Sequence, residues 1–139
     1  MKRPTWTITW TEVMSVGIPE IDADHKHFIL LINELNRSIT ERNDPAEIKR
    51  RLQLIVDDTE RHFAQEERLF KEWQYPDLDR HAGIHARTLS ALQEMQAEFI
   101  PYGFDSGWID AGLRIKELLI KHVLTEDMKY AEFYRNSML

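Results

Sequence analysis

The chain has 139 residues, 42% hydrophobic and 30% charged, with only 5 Gly and 5 Pro; this predicts one soluble domain over residues 1–139, made of long regular elements. Having no cysteine excludes disulfides, thiolate ligands, iron–sulfur clusters and a cysteine nucleophile, so any metal must be held by His, Asp and Glu. A net charge of −6 with dispersed Lys and Arg argues against nucleic acid, and no apolar run nears the roughly 20 residues of a membrane span.

In Met1 to Thr11, Lys2 and Arg3 are not followed by an apolar core of secretory length, so the expected location is the cytoplasm. Trp6, Ile8 and Trp10 alternate with polar residues, predicting an extended arm over 1–17 with one apolar face. The period then changes, and 18–139 is read as a four-helix bundle with its C-terminal segment. Ile18, Ile21, His25, Phe28, Ile32, Leu35 and Ile39 step by threes and fours, predicting a first helix over roughly 19–40. Asn43-Asp44-Pro45 stops it and starts the next: Asp44 caps, Pro45 opens the helix, and Glu47 completes a capping box.

The second seam is Ile48, Leu52, Ile55, Thr59, His62, Glu66, Leu69 and Trp73, broken at Tyr75-Pro76-Asp77. The third is Leu78, His81, His85, Thr88, Leu92, Met95 and Phe99, ending near Pro101 and Gly103. Asp105-Ser106-Gly107 opens the fourth, with seam Trp108, Ala111, Ile115, Leu118 and His122. Short loops between four such segments predict an all-α, up-down-up-down bundle.

Five of the 6 histidines fall on these apolar seams, which hold about two positions in seven. Only His27 is off-seam, and a solvated or packing role suffices for it. In an antiparallel bundle, His25 lies early in its helix, His62 and Glu66 late, His81 and His85 early, and His122 late. At a rise of about 1.5 Å per residue, these positions meet at one depth. A single seam histidine is more often a hydrogen-bonded core residue than a ligand. Five buried together would be costly unless metal satisfied them.

His62 and Glu66 are i, i+4, as are His81 and His85, so each pair projects from one face. Asp127 follows His122 by five residues, about 140° round a regular helix, and reaches the same centre only if the helix frays or tightens there. Five nitrogens exceed what one ion takes, and two carboxylates can bridge a pair. Nitrogen with hard oxygen suits iron, with zinc or manganese compatible by ligand type.

Taken in order, Val16-Gly17-Ile18 with Ile21-Asp22-Ala23-Asp24-His25-Lys26, His62-Phe63-Ala64-Gln65-Glu66-Glu67, Tyr75-Pro76 with His81-Ala82-Gly83-Ile84-His85, and His122-Val123-Leu124-Thr125-Glu126-Asp127 with Tyr130 resemble the hemerythrin family over nearly the whole chain. An isolated HxxxE or HxxxH is weak, but the ordered set is specific. The resemblance implies one iron on His81, His85 and His122 and a second on His25 and His62. It further implies that Glu66, Asp127 and an oxo or hydroxo group bridge the two. Dioxygen would bind at the open position beside His25 and His62, taking two electrons to become a hydroperoxide, and leave by the reverse steps.

Apolar Phe28, Phe63, Leu118, Leu119 and Val123 are expected to wall the oxygen pocket as well as pack the core. Imidazole-rich ligation leaves less anionic charge than a carboxylate-rich site and favours binding over oxygen activation; no seam histidine follows a Glu at i−3, the pattern of carboxylate di-iron proteins. The leading expectation is a non-enzymatic oxygen carrier or store, a monomer serving an oxygen-consuming recipient. The alternatives are an oxygen or redox sensor, disfavoured by the lack of an appended signalling segment, and a di-iron enzyme acting on peroxide or nitric oxide. The enzyme is disfavoured because no acid–base pair is evident beyond the ligands.

Overall fold

The computed structural model describes residues 7–41, 44–102 and 106–138, with the side chains of 98–102 and 106–109 outside the description. Trp6, Asn43, Gly103 and Asp105 therefore lie outside the described residues, as do the side chains of Phe99, Pro101, Ser106, Gly107 and Trp108. A 3-10 turn, Glu12–Met14, precedes α1 (Pro19–Thr40), α2 (Pro45–Trp73), α3 (Leu78–Tyr102) and α4 (Ser106–His122). A π-helical turn, Val123–Asp127, then runs into α5 (Met128–Ser137), which continues the fourth rod. Helix α1 packs on α2 and α4, α2 on α3, and α3 on α4, closing an all-α, up-down-up-down four-helix bundle.

The helix boundaries have local causes. Gly17 takes φ 78°, a left-handed turn that glycine enters without a Cβ penalty, and Pro19 then starts α1. Asp22 in the first turn of α1 ties this corner down, accepting from Ser15 Oγ (2.6 Å) and Val16 N (2.8 Å). Asp44 caps α2 by accepting from Ala46 N at 2.8 Å. Glu47 instead holds Arg50 and Arg51, at 2.7 and 3.0 Å, so the cap rests on Asp44. Helix α2 ends at left-handed Gln74, where Tyr75 N donates to Phe70 O at 2.9 Å in a Schellman-type closure.

The arm lies along the bundle. Ile8 is buried, its N–H donating to Asn33 Oδ1 (2.8 Å) while Asn33 Nδ2 donates to Ile8 O (2.9 Å). Half-buried Trp10 packs on the core, with Lys26 Nζ 5.1 Å above its ring.

The core has two apolar parts. One includes Ile32, Leu35, Ile48, Ile55, Leu92, Ile115 and Leu119, and the other Ile18, Ile21, Leu69, Phe70 and Tyr130. Along every rod, the seam histidines fall between residues of these two clusters. A polar layer therefore crosses the middle of the bundle. No helix among the described residues is long and apolar enough to cross a membrane.

Candidate metal centre

Seven side chains form this layer: His25 from α1, His62 and Glu66 from α2, His81 and His85 from α3, His122 from the end of α4, and Asp127 from the π turn. All are buried, none more than 6% exposed. Their donor atoms make two overlapping groups within 4.8 Å: His81, His85 and His122 with Glu66 and Asp127, and His25 and His62 with the same two carboxylates.

Each carboxylate turns one oxygen to each group. Glu66 Oε1 is 3.0 Å from His85 Nε2, while Oε2 is 3.3 Å from His62 Nε2. Asp127 Oδ1 is 3.1 Å from His122 Nε2 and 3.4 Å from His81 Nε2, while Oδ2 is 3.1 Å from His25 Nε2. His25 and His62 bring their Nε2 atoms to 3.1 Å. Two ligands at right angles, each roughly 2.1 Å from one ion, stand about 3 Å apart. The spacing is that of a coordination shell, and the donor set could hold two metal ions.

Hydrogen bonding inside the layer leaves much unsatisfied. Glu66 Oε1, both Asp127 oxygens and the Nε2 atoms of His81, His85 and His122 are buried without an acceptable hydrogen bond. Orphaned polar atoms of this kind are costly unless something else meets them, and a cation on this donor set would do so. Burial disfavours charge on His62, but the Glu66 charge and the hydrogen bond to Asp24 outweigh it and raise the imidazole to about 10. Burial and the Asp127 charge push Glu66 up, yet His62 and His85 bring it down to about 2. Burial also opposes ionised Asp127, and contacts with His122, His25 and His81 hold it well below the carboxylate range.

Around the donors, Asp24 Oδ2 lies 3.0 Å from His62 Nδ1 and Glu67 Oε2 lies 2.9 Å from His85 Nδ1. Such carboxylates fix the imidazole tautomer so that Nε2 faces inward. The wholly buried Tyr130 donates its hydroxyl to Glu66 Oε2. Sequence reasoning assigned Asp24, Glu67 and Tyr130 no role, although Asp24 adjoins His25 and Glu67 adjoins Glu66 in the chain.

Of the five apolar residues named from sequence, Phe28, Leu119 and Val123 line a small apolar cavity against His25, together with Trp10 and Met14 of the arm. Phe28 also meets His62 edge-on, with ring centroids 5.0 Å apart. Phe63 sits with the three-histidine group, stacked on His85 at 3.8 Å and 4°. Leu118 is half-buried and packs against the larger apolar cluster. Off-seam His27 is 50% exposed, 3.4 Å from Asp58, and stays outside the centre.

Comparison with known proteins gives a consistent picture. The family described as "Hemerythrin HHE cation binding domain" matches residues 16–134. The chain is similar to a bacteriohemerythrin of Pseudomonas aeruginosa (strain LESB58), 30% identical over 131 residues, covering 94% of this chain and 84% of that one. A myohemerythrin of Theromyzon tessulatum is 27% identical over 121 residues, covering 87% and 88%. A crystal structure of wild-type hemerythrin matches with a TM-score of 0.77 at 21% identity, covering 90% of this chain and 95% of that one, a likeness of fold.

Proposed function

The chain belongs to the hemerythrin family, and on that premise we propose that its buried layer holds two iron ions and binds dioxygen reversibly, as a carrier or store. His81, His85 and His122 hold one ion and His25 and His62 the other. Glu66 and Asp127, each with one oxygen toward either group, would be shared by the two ions. When bound, the iron pair would supply the two electrons that reversible dioxygen binding needs.

One observation supports this most: three imidazoles stand on one side of the shared carboxylates and two on the other, and the small apolar cavity abuts the two-histidine side at His25. The side with fewer protein donors is where dioxygen would be admitted. Phe28, Leu119 and Val123 keep that side apolar, which suits a small uncharged guest and hinders entry of the water and protons that promote irreversible oxidation by dioxygen. Tyr130 and the paired carboxylates Asp24 and Glu67 hold the ligands in place. The proposal includes a cytoplasmic monomer serving an oxygen-consuming recipient, checked by cell fractionation and sedimentation.

A sensing role has one observation behind it. Trp10 and Met14 place the N-terminal arm on the cavity wall, so a guest there would press on a segment that carries the exposed Val13. The test is to reduce the iron-loaded protein and follow its visible spectrum through argon–oxygen cycles. Reversible charge-transfer bands without net oxygen consumption are expected. Steady consumption would move the assignment to an enzyme, and oxygen-dependent partner binding to a sensor.

A further inference from the structure

We propose that Arg61, outside the ligand set, is a positioning residue that sets the electron-donating strength of His62 by sharing Asp24 with it. The inference rests on the di-iron reading above. Asp24 uses its two oxygens differently: Oδ2 faces His62 Nδ1 at 3.0 Å, and Oδ1 accepts from Arg61 Nη2 at 3.1 Å. Arg61 is anchored at both ends of its fork. Nη2 also donates to Asp58 Oδ1 at 2.9 Å, and Nη1 donates to Gln65 Oε1 at 3.3 Å.

A carboxylate on the outer nitrogen of a ligating imidazole makes the inner nitrogen a stronger donor. A guanidinium on the same carboxylate draws that charge away, because its positive charge is fixed at all relevant pH. His62 therefore has a damped carboxylate. On the other side, His85 leans on Glu67 at 2.9 Å, and among the described residues no Lys or Arg forms an ion pair with Glu67. The two halves of the centre are thus electronically unequal beyond their ligand count. The half that abuts the cavity is the one with the weaker push toward the oxidised state. That asymmetry suits a site that must hold a reduced metal in air.

The Arg61 side chain is 52% exposed, so its replacement should leave the fold intact, which circular dichroism checks. The variants are Arg61→Gln, Arg61→Lys and Asp24→Asn, loaded with ferrous iron. Readouts are the midpoint potential, the rate of oxidation in air and ferrous-ion affinity against a chelator. Arg61→Gln should lower the potential and oxidise several-fold faster, and Arg61→Lys should return both toward the original. Asp24→Asn should move the potential the other way and weaken iron binding about tenfold.

Opposite signs distinguish charge tuning from mere loosening, which would shift both variants alike. A potential unmoved by Arg61→Gln, or moved in the same direction as Asp24→Asn, overturns the proposal while leaving the di-iron reading intact. An unaltered chain that takes up no iron overturns the di-iron reading, and this inference with it.

Discussion

Asp127 Oδ1 lies 3.1 Å from His122 Nε2 although five residues separate them. A regular α-helix would turn the two roughly 140° apart. The helix neither frays nor tightens, as the sequence led one to expect; it widens into the π turn Val123–Asp127, whose i→i+5 pattern absorbs one residue and brings the carboxylate back to the face of His122. One backbone bulge thus lets a single rod offer a carboxylate to both histidine groups.

The turn has its own fastening. Thr125 Oγ1 donates to Lys121 O at 2.6 Å, tying the turn to the end of α4. Thr125→Val keeps the shape and loses the bond. It should cost about 1 kcal/mol, read as a lower urea midpoint, with a further loss of metal affinity as Asp127 drifts. An unchanged midpoint would show that the turn needs no such support.

Because Glu66 and Asp127 face both groups, their loss should differ in kind from loss of a histidine. Glu66→Gln or Asp127→Asn should lower binding of both ions together, whereas His25→Ala should spare the three-histidine side. Metal-to-protein ratios by elemental analysis decide this. Equal single-ion losses in all three variants would contradict shared carboxylates.

Proton linkage should give the metal-free and loaded proteins opposite responses to pH. His62 is raised to about 10 from an ordinary 6.5, so its contribution is complete below 6.5 and fades as pH rises through 10. Glu66, down to about 2 from 4.5, and Asp127, well below 3.8, contribute above those ordinary values and lose this as pH falls. The metal-free protein should therefore be most stable between about pH 4.5 and 6.5. Metal needs neutral imidazole, so loading at pH 7 should release a proton from His62 and weaken on acidification. Urea titrations across pH and an indicator dye during loading test the two halves. A flat metal-free profile from pH 6 to 10 would contradict the assigned His62 environment.

Gln74 ends α2 with φ 54°, a conformation that costs a side-chain-bearing residue roughly 1–2 kcal/mol. Glycine avoids that cost but loses more entropy on folding. Gln74→Gly should stabilise by up to about 1 kcal/mol, seen as a higher melting temperature with metal content unchanged.

What sequence periodicity could reveal was set by how strongly it is imposed. A 22-residue amphipathic run between Pro19 and Thr40 leaves little freedom, and the expected limits match the observed α1. The depth of the histidines followed from helix rise and antiparallel order alone. The π turn did not, since Val123-Leu124-Thr125-Glu126-Asp127 contains no residue that requires i→i+5 bonding. Asp24 and Glu67 escaped for another reason. A helix face sorts side chains into inward and outward, but a ligating imidazole has a second nitrogen looking outward, where carboxylates resemble ordinary surface charge. Trp10 and Met14 meet the cavity through a chain reversal that no periodicity encodes.

The polar layer has an apolar block on either side, and both blocks join the arm to α1 and α2 and draw on the fourth rod. Hydrophobic burial can therefore assemble this chain before any cation arrives, unlike small domains that collapse only around their metal. The vessel would then stand before it is filled, and its cargo could be delivered, withdrawn and exchanged without dismantling the walls.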